Sequence, residues 1–183
     1  MACWSTTPWP PPQAVYFTDS YAPFLYAVPL GRFGRLPGQS AVRRIALTGD
    51  AAEQGAMNNG IEVTPQGRLL IVQMLAGRLI SYDPDTGEQF RVDLGGASVL
   101  NGDGLLRLGR YLYVVRNVSN RIAKFRFNAA FTAAELVEEI TDPWFDVPST
   151  IAAFGPDLYA VNSRFTSTVP TPDTTYNIIR VRG

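Results

Sequence analysis

NNGIEVTPQGRLLIVQMLAGRLISYDPDTGE, residues 58–88, decides the fold. Two short apolar runs, Leu70-Ile71-Val72-Gln73 and Arg78-Leu79-Ile80-Ser81-Tyr82, stand nine residues apart from Leu70 to Leu79. Runs this short and rich in β-branched residues predict the two arms of a hairpin. Gly60-Ile61-Glu62-Val63-Thr64 precedes them and ends in the turn signal Pro65-Gln66-Gly67. Pro84-Asp85-Thr86-Gly87 makes another turn, after which Phe90, Val92 and Leu94 alternate with Arg91 and Asp93, the pattern of a strand with one dry face. The segment therefore predicts four antiparallel strands in close succession.

The same arrangement recurs outward in both directions. The first hairpin arms begin at Tyr16, Leu70, Leu112 and Leu158, spaced by 54, 42 and 46 residues. The second arms are Phe24–Val28, Arg78–Tyr82, Arg121–Phe125 and Asn177–Val181, and the offsets Tyr16 to Leu25 and Leu112 to Ile122 are 9 and 10 residues. Only the last pair is farther apart, because a Ser/Thr/Pro-rich loop, Phe165–Thr175, is inserted where extra length costs little. Third runs at Arg43-Ile45-Leu47 and Leu136-Val137-Ile140 match Phe90–Leu94, while Asp103–Leu108 and Ser149–Phe154 match the opening run at Gly60. Repeats of this length with four strands each are the signature of propeller blades.

The reading is thus an all-β chain: a β-propeller with four-stranded antiparallel blades, in portions 14–48, 59–95, 100–141 and 148–182, after an irregular Pro-rich lead-in over residues 1–13. Fourteen strands make about three and a half blades, fewer than the four to eight that close a ring, so a partial ring with open blade edges and self-association through them is expected. Alternating Leu, Tyr and Val with Gly turns also suits a β-sandwich or an open sheet of stacked hairpins; the spacing favours blades.

Composition narrows function. Lys plus Arg and Asp plus Glu are 16 each, and no basic run exists, so neither nucleic acid nor an anionic membrane finds electrostatic support. No apolar stretch is long enough for a transmembrane helix, and residues 1–13 lack the basic and apolar regions of a signal peptide. With no histidine and the single cysteine Cys3, a histidine-based triad and the common zinc sites are excluded; a metal would need oxygen ligands, which suits calcium better than zinc. Asn117-Val118-Ser119 is a formal glycosylation sequon.

The segments VYFTDSYAPFLYAVPLG (residues 15–31), 58–88, LNGDGLLRLGRYLYVVRNVSNRIAKFRF (residues 100–127) and ITDPWFDVPSTIAAFGPDLYAVNSRF (residues 140–165) resemble the gluconolactonase and senescence-marker family of six-bladed propellers, particularly a secreted-looking microbial and fungal branch. The resemblance implies the C-terminal portion of such a ring. It also implies a divalent metal at the channel mouth held by one Glu, two Asn and one Asp, of which the second Asn falls on Asn59 and the Asp on Asp103, the latter doubling as general base. The remaining Glu and Asn would lie in blades this chain does not contain. Both positions have a plain alternative: Asn58-Asn59-Gly60 fits a left-handed or type I′ turn, and Asn101-Gly102-Asp103-Gly104 is turn-like as well.

Further residues sit around this mouth. Asn101 stands beside the candidate ligands, and Asp19-Ser20 and Asn162-Ser163 follow matching strands on one rim. Ser149 and Thr150 occupy the strand opening equivalent to Asn59 and Asp103. Trp144-Phe145 offers an aromatic pair for a sugar-like ring, with packing between blades the alternative. The expected function is a metal-dependent hydrolase fragment acting on a small sugar lactone or similar cyclic ester, inactive without the missing blades. The alternative is a noncatalytic binding propeller displaying the loop 165–175. The family branch suggests secretion; the chain itself fixes no compartment.

Overall fold

The computed structural model describes residues 14–166 and 169–182; the Pro-rich lead-in, Cys3, and residues 167, 168 and 183 lie outside the described residues. Among the described residues, fourteen strands form four antiparallel sheets, each ordered as in the chain. The first holds β1 (Ala14–Thr18), β2 (Phe24–Pro29) and β3 (Arg43–Ala46). In the second are β4 (Asn58–Val63), β5 (Leu69–Gln73), β6 (Arg78–Tyr82) and β7 (Gln89–Arg91). The third consists of β8 (Gly102–Leu108), β9 (Tyr111–Arg116), β10 (Arg121–Phe127) and β11 (Ala134–Ile140). β12 (Pro148–Phe154), β13 (Asp157–Asn162) and β14 (Ile178–Arg182) make the fourth. Sheets of this kind, joined by short turns, resemble propeller blades.

The sheets stack face to face, which explains why their middle strands are apolar without interruption. All five residues of β5 are buried because both its faces are covered. Leu25, Ile61, Ile71, Ile80 and Tyr82 fill the junction of the first and second sheets. Leu70, Val72, Leu79, Leu112, Val114 and Phe125 fill the next, and Tyr113, Val115, Ile122, Ile151, Leu158 and Ala160 the third. Each buried Leu, Ile, Val or Phe side chain among these contributes about 1.5–3 kcal/mol. The last strand of the third sheet, β11, turns charge to solvent instead: Glu135, Glu138 and Glu139 pair with Arg126, Lys124 and Arg121 of β10. Such pairs add little stability but protect an outer edge from further pairing.

Two sequence readings change. Asn58, Asn59 and Gly60 do not form a turn; they lie inside β4, whose ladder with β5 runs from Asn58↔Gln73 to Ile61↔Ile71 through a bulge, and Gly102, Asp103 and Gly104 likewise lie inside β8, only Asn101 remaining in a turn. The strand expected over Phe90–Leu94 stops at Arg91. Its alternation nevertheless continues, with Val92 and Leu94 buried, and Asp93 crosses over to form an isolated parallel bridge with Ala133 of the next sheet. In the fourth sheet the long insertion leaves the ladder intact: β13 and β14 pair from Asp157↔Arg182 to Val161↔Ile178 without a register shift, although residues 163–177 intervene. No helix among the described residues is long and apolar enough to cross a membrane.

Candidate functional site

Each of the strands β4, β8 and β12 begins with the same backbone device. In β4 two residues, Asn59 and Gly60, stand opposite the single Val72; in β8 Asp103 and Gly104 stand opposite Val115. In β12 the extra residue is Ser149, between the pairs Pro148↔Asn162 and Thr150↔Val161. A bulge of this type turns the extra side chain out of the ladder and re-aims it. Register thus places Asn59, Asp103 and Ser149 at equivalent positions, with Thr150 one residue beyond.

The residue before each strand is left-handed: Met57, Asn101 and Val147 have φ of 55°, 65° and 55°. Their carbonyls accept the backbone N–H of Met74, Asn117 and Ser163, each at 2.9 Å. That bond joins the entry of each opening strand to the exit of its neighbour and offsets the cost of the unusual dihedral, about 1–2 kcal/mol for a residue with a β-carbon. Asn101 is therefore a turn residue whose amide donates to Ser119 Oγ at 3.1 Å.

The opening strands approach closely. A β-carbon on Gly60 would lie 2.0 Å from the Asp103 carbonyl oxygen, and one on Gly104 would lie 2.7 Å from Thr150 Cα and 2.8 Å from the Ser149 carbonyl oxygen. Glycine at these two places is what lets the bulges of adjacent sheets sit side by side.

Asp103 is buried, and one oxygen of its carboxylate, Oδ2, accepts a hydrogen bond from Asn117 Nδ2 at 3.0 Å. Burial pushes its pKa above the ordinary carboxylate range, and the Asn117 bond opposes that rise. Asn117 is only 1% exposed and its Oδ1 accepts the Val118 N–H, so the sequon asparagine is engaged inside the protein. Asn59 is half-buried; its Nδ2 donates to Met74 Sδ at 3.6 Å, and its carbonyl accepts the Thr18 hydroxyl. The buried Ser149 donates through Oγ to the Val161 carbonyl at 3.5 Å.

The other rim residues are engaged in anchoring. Asp19 Oδ1 accepts the N–H groups of Tyr21 and Ala22 and its Oδ2 accepts the Tyr26 hydroxyl; the Tyr21 bond first of all holds its carboxyl below the usual range. Asn162, fully buried, donates to the Trp144 carbonyl at 2.7 Å and to Asn177 Oδ1 at 3.0 Å, and accepts the Asp146 N–H. The residues that match Asn162 do the same in their sheets: Gln73 donates to the Asp50 carbonyl and Arg116 to the Leu100 carbonyl. The aromatic pair is split, with Trp144 72% exposed and Phe145 buried in the junction beneath.

One ionisable group escaped the sequence reading. Glu62 of β4 is buried, and its carboxylate accepts the N–H of Val63 at 2.8 Å and of Arg107, on β8, at 3.2 Å. Its pKa is raised, by burial first, against the lowering effect of those two bonds. It ties β4 to β8 below the bulges. A cleft of about 220 Å³ opens beside Asn58, lined by Asp19, Tyr21, Ala51, Glu53 and Met57. Among the described residues, no three His, Cys, Asp or Glu side chains gather closely enough to hold a metal by themselves.

No family model matches the chain, and no curated protein matches it. Several solved structures share its fold. The major allergen Mala s 1 of Malassezia sympodialis superposes with a TM-score of 0.58 at 15% identity, covering 85% of this chain and 48% of that one. A Bacteroides uniformis protein provisionally named a 6-phosphogluconolactonase gives 0.54 at 18% identity, covering 82% of this chain and 47% of that one. Virginiamycin B lyase from Staphylococcus aureus gives 0.52 at 15% identity, covering 92% and 52%. The chain thus spans about half the length of these proteins. A likeness at this identity, shared among proteins of such different names, marks a shared fold of blade-like sheets rather than one family.

Proposed function

We propose that the chain is part of a six-bladed ring whose mouth, at Asn59 and Asp103, takes a divalent cation, calcium before zinc, and acts on a sugar lactone or similar cyclic ester once the remaining blades are supplied. The observation that carries this reading is the shared bulge, which gives Asn59 and Asp103 equivalent positions on neighbouring strands. The likeness to a protein named for a lactone substrate supports the same chemistry.

The donor set fits a hard cation in kind. Asn117 engages Asp103 Oδ2 and Met74 engages Asn59 Nδ2, which leaves Asp103 Oδ1 and Asn59 Oδ1 as the oxygens for a metal. It falls short in number, since calcium takes about six to eight oxygens. When bound, the cation would polarise the lactone carbonyl and stabilise the oxyanion that forms. Asp103 would move the proton in that step. Asn117 holds that carboxyl in one orientation.

Calorimetric titration with calcium and with zinc tests the site. Binding to this chain is expected in the weak range, roughly 10⁻⁴–10⁻³ M, and to disappear in Asp103→Ala and Asn59→Ala. Affinity unaffected by either substitution would remove the basis of the reading. A second reading, a noncatalytic binding propeller, draws on the exposed Phe165 and Val169 in the inserted loop and on Tyr176 just after it. Saturable binding of a sugar lactone without turnover, in a ring with all its blades, would favour it.

A further inference from the structure

The three junctions between sheets are built to one plan. Residues paired across an antiparallel ladder point to the same side of the sheet. On the side facing the next sheet, the second sheet presents Leu70, Val72 and Leu79, all buried, and the third presents Tyr113, Val115 and Ile122, also buried. The matching residues of the fourth sheet are Tyr159, Val161 and Ile178, with Phe154 on the same side. They are apolar too, with the Arg180–Asp157 ion pair on the same side, but among the described residues no sheet faces them: Ile178 is 62% exposed and Phe154 80%, while Tyr159 and Val161 are half-buried.

The opposite end has the complementary surface. In the second sheet the side that receives its predecessor carries Ile61, Ile71 and Ile80. The first sheet presents Val15, Phe17, Tyr26 and Val28 on that side, as the pairs Phe17↔Tyr26 and Val15↔Val28 require. All four are half-buried. One end of the chain is thus patterned to give a junction and the other to receive one.

We infer that these two end faces dock on each other between copies, so that the chain on its own associates head to tail with a second copy of itself. Such a contact is a fourth instance of a junction the fold already makes three times, between surfaces that the same chain carries. It is heterologous: the giving face of one copy meets the receiving face of the other, and two copies together hold eight sheets, within the range of closed propellers. The inference rests on the sheet stacking and not on the metal reading, and mass measurements test it without reference to metal.

Sedimentation equilibrium on the whole chain at micromolar concentrations reads the outcome. The wild type is expected at twice its 20.1 kDa mass or more. Ile178→Glu, which blocks the giving face, and Phe17→Glu, which blocks the receiving face, are each expected at the monomer mass. Mixed in equal amounts they are expected to form a one-to-one dimer that grows no further, since one intact face of each kind remains. Val28→Glu serves as a second receiving-face variant, and Val137→Glu, on the outer strand β11, is expected to leave association unchanged. A wild-type chain that stays monomeric throughout overturns the inference and assigns the end faces to further blades. A mixture that stays monomeric, with both variants folded by circular dichroism, overturns the head-to-tail pairing.

Discussion

Replacing Gly60 by alanine tests the close approach on which the site geometry depends. The added β-carbon would lie 2.0 Å from the Asp103 carbonyl oxygen, 3.1 Å from its carbonyl carbon and 3.1 Å from Leu105 Cγ. Two of these atoms are backbone and cannot rotate away. Restoring an ordinary contact of 3.4 Å requires β4 and β8 to part by about 1.4 Å at that point. That movement strains the Glu62 link to Arg107 and loosens Leu105 in the junction. Overpacking of this severity costs about 3 kcal/mol. With a urea slope of about 2 kcal/mol per molar, the unfolding midpoint should fall by about 1.5 M. Gly38→Ala supplies the control, because nothing lies within 4 Å of its added carbon and its φ is negative; its midpoint should stay level or rise slightly. A Gly60→Ala midpoint within about 0.3 M of wild type would refute the reasoning, since no backbone clash of that size is then being relieved.

Protonation supplies another test. Burial raises the Asp103 pKa in the folded chain, so the folded state keeps its proton over a range where the unfolded state has released it. The wild type therefore loses stability as pH rises from the ordinary carboxylate range through the folded pKa, and Asp103→Asn should gain on it progressively over that range. Urea midpoints at the two ends of that range check the sign, and a gap that narrows with rising pH contradicts it. Asn162→Ala should cost about 1–3 kcal/mol, because the fully buried Asn162 side chain loses its bonds to the Trp144 carbonyl, Asn177 Oδ1 and the Asp146 N–H, while leaving calcium titration unchanged. A shift in metal affinity in that variant would mean that Asn162 belongs to the site after all.

The strand pattern was largely legible in the sequence because it is written in burial. Leu70 and Leu79, or Leu112 and Ile122, recur at one spacing because each must reach the same junction, and that demand leaves a trace in every repeat. Bulges leave a poorer trace. Asn58-Asn59-Gly60 reads as a turn by composition, and only the ladder with β5 reveals a strand with one residue too many. The left-handed entries are more opaque still: Asn101 suits a positive φ, but Met57 and Val147 do not, and the tertiary bond to Met74 or Ser163 holds them there. Asn117 drew notice only as a sequon. Aligning Met74, Asn117 and Ser163 by their distance from the preceding strand would have set it beside Asp103. Glu62 gave no signal, since nothing local distinguishes a glutamate that bonds to the edge of the next sheet from one in water.

The unbroken pairing of β13 with β14 across residues 163–177 has a practical side. The ladder there keeps its register across a connection far longer than those of the other hairpins, so its closure does not depend on a tight turn. Foreign peptides, epitopes or affinity tags grafted between Thr171 and Asp173 would thus meet a permissive position, with each doubling of loop length costing only about 0.6 kcal/mol in closure entropy. The hairpins of the other three repeats, held by tight turns, offer no such latitude.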